Sequence, residues 1–383
     1  MENHQIMIVV GEASGDAHAA KLVKRLREIS PELKFFGSTG VKMREEGVET
    51  IVKADDLSIV GLLEIGRALP MFWNTFQKLK KSAIERKPDA VILVDFPDFN
   101  MKMAKSLKKQ GIKVIYYISP QLWAWRKYRI KTIKNSVDLL LTILPFEKDW
   151  YHKEGIDHVE YVGNPLAGEI KVEKSKAEFC QKYGLDETKP IIALLAGSRH
   201  KEITRILPLM LETANFMSKQ NNDLQFVVAM ASNRRMAEFE KAKNIVGEFP
   251  KSLIVVQNET WEALKASNVA AVTSGTATLE TAIIGTPMAI VYKTSSLNFK
   301  LLRPLIDVPH FGLINLIAQE RLAKELIQDD FTQETLATEL LYLLEDNVNA
   351  KVRKRLQEVS ETLGHGGTAK RAAEAIMKLL LTN

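Results

Sequence analysis

The sequence predicts an α/β protein built from two doubly wound domains, each with a parallel sheet between two layers of helices. Short apolar runs rich in β-branched residues alternate with amphipathic stretches, a pattern typical of βα units. The alternation is interrupted by a polar stretch and then starts again. Because 383 residues also exceed the usual size of one domain, we expect two domains with separate cores.

Composition narrows the class of protein. Hydrophobic residues make up 46% of the chain and charged residues 26%, as in soluble globular proteins. The net charge of +6 favours phosphates and anionic lipid as partners. A single cysteine, Cys180, excludes an intrachain disulfide and a cysteine-rich metal site. Because we find neither a secretory signal nor an apolar run long enough to span a bilayer, we expect a cytoplasmic protein.

The first domain opens with a predicted strand at residues 5–10 and a helix that ends near residue 29. The turn between them contains Gly11, Glu12 and Ser14, and its Gly-x3-Gly spacing would let a ligand approach the backbone at the end of the strand. Dinucleotide binding is disfavoured, because this spacing differs from Gly-x-Gly-x-x-Gly. Two more short strands are predicted at residues 33–36 and 50–52.

An unusually apolar segment follows at residues 56–73. Past Pro70, which suits the first turn of a helix, helical spacing predicts one buried face formed by Phe72, Phe76, Leu79 and Ala83. That face leaves other large side chains unexplained, namely Val60, Leu62, Leu63, Ile65, Leu69 and Trp73. They form either a second core face or an exposed patch for lipid or acyl chains.

The apolar run at residues 90–94 is the strongest strand pattern of the first half and is typical of the middle of a parallel sheet. Asp95 and Asp98 follow it, and Pro97 ends the strand. Asp98 could simply cap the next helix. Two carboxylates at the end of a central strand nevertheless stand where an enzyme places a general base, and we predict this role for Asp98.

Basic residues lie beside two tryptophans in residues 119–134. Arg126, Lys127 and Arg129 are predicted to share one amphipathic helix with Lys131 and Lys134. No second basic block supports nucleic-acid binding, so we expect no nucleic-acid partner. A phosphorylated substrate or a lipid head group fits these charges better. Strands at residues 137–144 and 159–163 complete the first half.

The boundary between the halves is predicted at residues 163–167, followed by a polar hinge at residues 169–176. Beyond it, a glycine turn opens a helix near Arg199, whose permanent charge could bind a diphosphate in bidentate fashion. His200 beside it is expected to face solvent. Strands of the second half are predicted at residues 191–196, 225–231, 253–256, 269–272 and 288–292. Two later amphipathic helices, at residues 332–344 and 367–381, carry no site residues that we can identify.

Ser274, Gly275 and Thr276 follow the strand at residues 269–272 and open a helix. Its first N–H groups and the positive end of its dipole favour phosphate, and the Ser274 hydroxyl could act as N-cap. Glu280 lies about one turn further, where a carboxylate could bind two vicinal hydroxyls. The pattern indicates a nucleoside diphosphate with its ribose held by Glu280. It also occurs as an ordinary connection between a strand and a capped helix.

Two Rossmann-like doubly wound domains that face a cleft, with a nucleotide site in the second, resemble the GT-B glycosyltransferases. Shorter motifs, in chain order, resemble the lipid-A-disaccharide synthase family more closely. They are Gly-Glu-Ala-Ser-Gly-Asp at 11–16, Asp-Phe-Pro-Asp-Phe-Asn at 95–100, Ser-Pro-Gln-Leu-Trp-Ala-Trp-Arg at 119–126, Leu-Pro-Phe-Glu-Lys at 144–148, Gly-Ser-Arg at 197–199, Ser-Gly-Thr-Ala-Thr-Leu-Glu at 274–280 and Asn-Leu at 315–316. One departure is Asn164, where the family often has histidine.

The resemblance implies a glycosyltransferase of lipid A (lipopolysaccharide) biosynthesis. UDP-2,3-diacylglucosamine and 2,3-diacylglucosamine 1-phosphate (lipid X) would give the β-1,6-linked lipid A disaccharide 1-phosphate and UDP, with inversion. It also implies a homodimer bound peripherally to the anionic inner face of the inner membrane of a Gram-negative bacterium. We expect no cofactor and no metal. Two rivals stay open, a UDP-sugar epimerase and a non-catalytic lipid-binding protein.

The residues and the resemblance together give a set of predicted roles. Asp98 is the predicted base of a single displacement. Predicted donor-binding residues are Arg199, Ser274, Gly275, Thr276, Glu280 and Asn315. Predicted acceptor or cleft residues are Gly11, Glu12, Ser14, Asp95 and Arg126. The predicted membrane patch consists of Val60, Leu62, Leu63, Leu69, Phe72 and Trp73, assisted by Arg126, Lys127 and Arg129 on head-group phosphate. The predicted domains are residues 1–165, 166–360 and a C-terminal helix at 361–383, which packs on the first domain or on a partner subunit.

Overall fold

In a computed structural model the chain divides into two compact units, each with its own sheet. The structure describes residues 4–56, 65–230, 232, 235–296, 299–300, 303 and 308–381. The first unit comprises Met1–Pro165 and His365–Asn383, and the second comprises Leu166–Gly364. The C-terminal helix therefore belongs to the first unit. No helix within the described ranges is both long and apolar enough to cross a membrane.

The first unit contains a seven-stranded parallel sheet, as its apolar strand patterns predict. Its strands are β1 Gln5–Val9, β2 Lys34–Thr39, β3 Glu49–Lys53, β4 Ala90–Val94, β5 Lys113–Tyr117, β6 Leu139–Thr142 and β7 Val159–Tyr161. Alternate residues of β1 enter different cores, because side chains along a strand point to opposite faces. Ile6 and Ile8 join the core on one face, and Met7 joins the core on the other.

Helices cover both faces of this sheet. They are α1 Ala13–Ile29, α2 Val41–Glu45, α3 Ile65–Arg86, α4 Pro97–Lys108, α5 Ile130–Ser136, α6 Glu147–Lys153 and, from the chain's end, α16 Thr368–Leu381. Helices α1 and α16 supply one core, for example with Leu22 and Ile376. Helices α3 and α4 supply the other, for example with Leu79 and Leu107. The fold class predicted for this half is confirmed.

Two local predictions for the first unit are wrong. Pro70 lies inside α3 and not in its first turn, because the helix already begins at Ile65. The basic segment is not one helix: a 3-10 turn at Lys127–Arg129 precedes α5. Arg126, just before that turn, has a left-handed backbone with φ of 57°, which no α-helix tolerates.

The second unit contains a six-stranded parallel sheet. Its strands are β8 Ile191–Leu195, β9 Gln225–Met230, β10 Leu253–Gln257, β11 Val269–Thr273, β12 Met288–Tyr292 and β13 Glu325–Ile327. Its helices are α7 Leu166–Glu169, α8 Lys176–Tyr183, α9 His200–Gln220, α10 Met236–Val246, α11 Thr260–Ala266, α12 Ala277–Ile284, α13 Leu313–Ala318, α14 Gln333–Leu344 and α15 Asp346–Glu361. The five predicted strands are confirmed, and β13 is an addition.

Strand order fixes where each unit can bind a ligand. The order is β3-β2-β1-β4-β5-β6-β7 in the first unit and β10-β9-β8-β11-β12-β13 in the second. The order reverses between β1 and β4, and again between β8 and β11. Open α/β sheets bind ligands outside the carboxyl ends of the strands at such a reversal. The turns predicted as site segments follow these four strands.

Candidate functional site

The turn after β1 meets the turn after β4 at the reversal point of the first unit. Gly11 is buried, and a Cβ there would lie 2.4 Å from the ring of Phe96, so only glycine fits beside that ring. Glu12 and Ser14 are exposed at the start of α1. The charge of Glu12 acts on Asp95 of the neighbouring turn. The structure thus brings together four of the predicted cleft residues and Phe96.

Asp95 is held in a strained backbone conformation. Its φ of 47° lies in the left-handed region, which costs a non-glycine residue about 1–3 kcal/mol. Its backbone carbonyl accepts hydrogen bonds of 2.8 Å from the Tyr116 hydroxyl and from Nδ2 of Asn100, and its N–H donates to the Tyr117 carbonyl at 3.0 Å. Such strain persists where surrounding contacts over-determine it, and it clusters at functional sites.

The carboxyl group of Asp95 is also perturbed. Burial raises its pKa above the ordinary value, and the neighbouring charge of Glu12 raises it further. A single backbone hydrogen bond from Phe96 acts in the opposite direction. The group therefore holds a proton more readily than an isolated aspartate does.

Asp98 stands in the first turn of α4, one residue after Pro97. It makes no side-chain cap, so the alternative of a simple helix cap is wrong. Its Oδ1 accepts a 2.7 Å hydrogen bond from Nη1 of Arg126 and a second bond from Nη2 of Arg129. Burial alone would raise the pKa of Asp98, but the two guanidinium groups outweigh it and the pKa lies below its ordinary value. Its side chain is still 66% exposed.

Glu147 is a buried carboxylate that sequence reasoning missed as a site residue. It accepts hydrogen bonds from the Ser119 hydroxyl at 2.9 Å, from Nε1 of Trp123 at 3.1 Å, and from the N–H groups of Ile143 and Leu144. Burial raises its pKa, and these four bonds counteract part of that rise. Glu147 therefore ties the loop after β5, which leads to Arg126, to the end of β6. Its presence in the Leu-Pro-Phe-Glu-Lys motif is the sequence feature that could have identified Glu147.

The aspartate of the Gly-Glu-Ala-Ser-Gly-Asp motif has a structural role. Asp16 is buried, and its carboxylate accepts the N–H groups of Gly40, Lys42 and Met43. It thereby satisfies the first donors of α2. A Cβ on Gly40 would lie 2.4 Å from the carboxyl carbon of Asp16, so glycine is required there.

Arg199 stands at the N-cap position of α9, after β8, in the second unit. Its side chain is 83% exposed and forms an ion pair of 2.9 Å with Glu202. Glu202 also accepts the backbone N–H of Arg199 at 3.3 Å. Gly197 has φ of 99°, and a Cβ there would lie 2.6 Å from Oε2 of Glu202. The turn thus presents Arg199 outward at the end of the strand.

Two further charged residues support this turn and were not predicted. Arg235 donates from Nε to the Ser198 carbonyl at 3.2 Å and pairs with Glu238 at 3.0 Å. His200 is exposed, as expected, and it also shares the same oxygen of Glu238 at 2.9 Å. The hydrogen bond from His200, followed by that from Arg235, lowers the pKa of Glu238 to about 2. Arg235 and Glu238 lie more than 30 residues after the turn that they contact, so local motifs do not reveal these contacts.

The Ser274 to Thr276 turn follows β11, beside the Arg199 turn. Ser274 does not cap α12, because its hydroxyl donates to the Phe311 carbonyl at 2.8 Å. Gly275 has φ of 154°, and the helix begins at Ala277. Thr276 is exposed and has helical dihedrals without a side-chain cap. A helix start after β11 is therefore present, two residues later than a Ser274 cap requires, and its predicted binding of phosphate stays a prediction.

Glu280 lies in the first turn of α12 and is half-buried. Its Oε2 accepts a 2.8 Å hydrogen bond from Nε1 of Trp261 in α11. Asn315 differs from its prediction as a donor-binding residue. It is fully buried, and its amide bonds to both backbone groups of Ala323 and to Glu325 at 2.7–2.9 Å. The amide is therefore engaged inside the unit, where Glu325 also accepts the N–H of Phe311, and it is not exposed as a donor-binding side chain would be.

The predicted membrane patch is only partly visible. Val60, Leu62 and Leu63 lie outside the described residues. Leu69 and Trp73 are 61% and 63% exposed, so neither belongs to a second core face. Phe72 is half-buried and packs on the core beneath α3, so it does not belong to an exposed patch.

Within the described ranges, no group of three or more His, Cys, Asp or Glu side chains is arranged to hold a metal ion.

Sequence comparisons give consistent relatives. The family model for lipid-A-disaccharide synthetase matches residues 6–379. The lipid-A-disaccharide synthase of Trichlorobacter lovleyi is 40% identical over 378 residues, which cover 98% of this chain and 97% of that protein. The lipid-A-disaccharide synthase of Syntrophus aciditrophicus is 40% identical over 381 residues, which cover 99% of both.

Solved structures with similar folds are more distant in sequence. The UDP-GlcNAc 2-epimerase from Neisseria meningitidis, bound to UDP-GlcNAc, aligns with a TM-score of 0.63 at 13% identity and covers 98% of this chain and 100% of that chain. The calicheamicin glycosyltransferase CalG4 aligns with a TM-score of 0.61 at 13% identity and covers 100% of both chains. Likenesses at this identity show the two-domain GT-B fold alone.

Proposed function

The chain belongs to the lipid-A-disaccharide synthase family, and we propose that it joins UDP-2,3-diacylglucosamine to 2,3-diacylglucosamine 1-phosphate. Membership makes it a glycosyltransferase of lipid A biosynthesis. The observation that carries the proposal is 40% identity to named synthases over 98% of the chain. The products are the β-1,6-linked disaccharide 1-phosphate and UDP.

The UDP group of the donor binds at the reversal point of the second unit. Arg199 offers a guanidinium to the diphosphate, and the start of α12 at Gly275 and Thr276 offers its N–H groups and dipole. Glu280 accepts the ribose hydroxyls. The Neisseria epimerase has UDP-GlcNAc bound in its crystal structure, which supports a UDP-sugar ligand for this fold.

The reaction is a single displacement with inversion at C1 of the donor sugar. The acceptor 6-hydroxyl attacks C1, its proton passes to a carboxylate, and the bond from C1 to the diphosphate oxygen breaks. We assign the proton acceptor to Asp98, which is exposed at the edge of the first sheet and keeps Oδ2 outside the bonds it makes to arginine. Arg199 stabilises the charge that UDP gains as it departs.

The first unit recognises the acceptor. Glu12 and Asp95 line the same edge of the sheet, and Gly11 leaves room for the Phe96 ring beside them. Acyl chains on both substrates require delivery from a bilayer, and we propose peripheral binding to the anionic inner face of the inner membrane. Leu69 and Trp73, exposed on α3, support this proposal. A homodimer is part of the same proposal and rests on the family resemblance.

Two rival functions lose support. The UDP-sugar epimerase from Neisseria meningitidis shares the fold with a TM-score of 0.63, but a likeness at 13% identity does not indicate the same activity. The hypothesis of a non-catalytic lipid-binding protein does not explain the charged residues Arg199 and Glu280, which follow two neighbouring strands. The deciding experiment incubates the purified chain with UDP-diacylglucosamine and radiolabelled diacylglucosamine 1-phosphate. We expect labelled disaccharide and one UDP per disaccharide; an isomerised donor without disaccharide would identify an epimerase.

A further inference from the structure

Asp98, Arg126 and Arg129 form a compact charged cluster at the carboxyl edge of the first sheet. Both guanidinium groups bond to the same oxygen of Asp98, Oδ1, with Arg126 just before the 3-10 turn and Arg129 as its last residue. Two cations and one carboxylate leave this cluster with a formal charge of +1. One carboxylate oxygen also uses only a few of the ten N–H donors that two guanidinium groups offer.

Aromatic rings hold the two arginines in place. The guanidinium of Arg126 lies 4.1 Å from the centre of the Trp125 ring, and that of Arg129 lies 5.9 Å from the centre of the Tyr128 ring. The Arg129 side chain is only 18% exposed. A stacked and partly buried guanidinium is pre-organised, so little side-chain entropy is lost when it binds an anion.

The third cation of this segment is directed elsewhere. Lys127 forms an ion pair of 2.6 Å with Glu154 and lies 5.9 Å from the centre of the Trp150 ring. The three basic residues therefore do not act as one charged patch. Arg126 and Arg129 converge on a single point, and Lys127 does not take part.

A phosphate monoester suits this pair better than the carboxylate that occupies it. It carries a charge of about −1.5 to −2 at neutral pH and offers three oxygens, so it can take bidentate bonds from both guanidinium groups. A phosphodiester carries only one negative charge and has two free oxygens. The net charge of +1 left by Asp98 attracts either anion but is neutralised best by the monoester.

We propose that Arg126 and Arg129 form the subsite for a phosphate monoester on the acceptor, and that Asp98 is the counter-ion this phosphate displaces. The identity of the phosphate as the acceptor's 1-phosphate rests on the proposed function. Once the arginines turn to phosphate, Asp98 loses the contacts that make it a poor proton acceptor. Binding of the correct acceptor thereby releases the base, and a sugar without the phosphate leaves it paired.

The first test measures binding of glucosamine 1-phosphate to the full chain by calorimetry at low salt. Arg126→Gln and Arg129→Gln should each weaken binding at least about tenfold, because each removes a charged donor. Asp98→Asn should strengthen binding by about threefold to tenfold, because it removes the competing anion. Lys127→Gln, with the same charge change in the same segment, should alter binding less than about twofold. Unchanged or weaker binding in Asp98→Asn would overturn the proposal.

The second test compares transfer to diacylglucosamine with and without its 1-phosphate. The native chain should prefer the phosphorylated acceptor by about 100-fold or more in kcat/KM, and Arg126→Gln/Arg129→Gln should lose most of this preference. Equal losses on both acceptors would make the arginines structural supports and overturn the proposal. If the native chain forms no disaccharide from either acceptor, the proposed function fails, and the calorimetric result still decides the subsite.

Lipid head groups are the other source of phosphate at this position. Vesicles of phosphatidylglycerol present phosphodiesters, so their binding by the native chain and by Arg126→Gln separates the two sources. Vesicle binding that falls while affinity for glucosamine 1-phosphate stays normal would overturn the proposal. We expect Arg126→Gln to keep vesicle binding and to lose affinity for glucosamine 1-phosphate. Thermal unfolding of each variant checks its fold, and Arg126→Gln is the safer single variant because Arg126 is more exposed than Arg129.

Discussion

The indole of Trp261 donates a hydrogen bond of 2.8 Å to Oε2 of Glu280. Trp261 lies in α11 and Glu280 in α12, so the bond fixes the carboxylate from a neighbouring helix. A carboxylate has further acceptor positions, and in the proposed donor site those on Oε1 accept the ribose hydroxyls. Trp261 therefore positions Glu280 without needing to touch the nucleotide.

Glu280→Ala should weaken UDP binding by roughly 1.5–3 kcal/mol, because a charged acceptor is lost. Trp261→Phe keeps a ring but loses the donor, and should weaken UDP binding by roughly 0.5–1.5 kcal/mol. The double variant should bind no worse than Glu280→Ala, because Trp261 acts through that carboxylate. Calorimetry on the full chain measures all three, with the exposed Glu334→Ala as control. Unchanged affinity in Glu280→Ala would place the nucleotide elsewhere.

Arg199→Ala should reduce kcat as well as UDP affinity. The charge on UDP grows as it leaves, so the contact with Arg199 strengthens toward the transition state. The fold should not suffer, because an exposed ion pair such as that with Glu202 contributes roughly 0–1 kcal/mol. Arg25→Ala removes a matched pair with Glu28, also three residues apart, and should leave steady-state kinetics unchanged. An unaltered kcat in Arg199→Ala would restrict Arg199 to ground-state binding.

Asp98→Asn should lower kcat by about 10²–10⁴-fold, because a positioned proton acceptor is lost while shape is kept. Asp95→Asn is the informative comparison. Asparagine tolerates the left-handed backbone at this position, so the variant should fold, and we expect a smaller loss of kcat. A larger loss in Asp95→Asn than in Asp98→Asn would transfer the role of base to Asp95.

Much of the fold could be predicted because buried parallel strands are continuous apolar runs. The structure confirms β4, β8 and β11 within one or two residues of their predicted bounds. Strand β13 was not predicted, because its three residues include the buried Glu325 and are flanked by Lys324 and Gln328, so they form no apolar run. A short strand without an apolar run cannot be recognised from the pattern of hydrophobic residues.

The site was predictable where its residues follow strands in sequence, and not where distant residues converge. Arg199 and Glu280 were predicted as binding residues from local motifs, and those roles stay predictions. The contacts that His200 and Trp261 make to Glu238 and Glu280 are seen only in the structure, because no spacing rule connects these residues. Asn315 shows the reverse case: its motif was noticed, but only the structure reveals that its amide bonds to Ala323 and Glu325. Side-chain hydrogen bonds across 10 or more residues depend on the fold and not on local pattern.

The polar hinge predicted at residues 169–176 is tied to the second unit by one carboxylate. Glu259 accepts hydrogen bonds from Lys174 at 2.7 Å, from Lys182 and from the Tyr183 hydroxyl. The Lys174 bond, followed by that from Lys182, lowers the pKa of Glu259 from 4.5 to about 2. A carboxylate with a lowered pKa stabilises the fold above its unfolded pKa and stops doing so as the pH falls through the folded value.

Glu259→Gln should therefore be less stable than the native chain at pH 7. The gap in urea midpoint should stay constant down to about pH 4.5 and then narrow toward pH 2, because the native side chain becomes protonated over that range. Urea titrations at pH 7, 5, 4 and 3 measure the gap. Glu334→Gln, an exposed carboxylate in α14, should show almost none. A gap that does not change with pH would mean that Glu259 contributes through packing and not through charge.

The exposed side chains of Leu69 and Trp73 on α3 lead to the final prediction. If they bind the membrane, Leu69→Ser/Trp73→Ser should lose liposome binding and activity on dispersed lipid, while stability changes by less than about 1 kcal/mol. Ile245→Ser removes an equally exposed apolar group from α10 and should leave liposome binding normal. Leu79→Ala, in the core beneath the same helix, should instead cost roughly 2–5 kcal/mol. A stable double variant that still binds liposomes would exclude this surface as the membrane contact, because the two side chains would then have no role that depends on lipid.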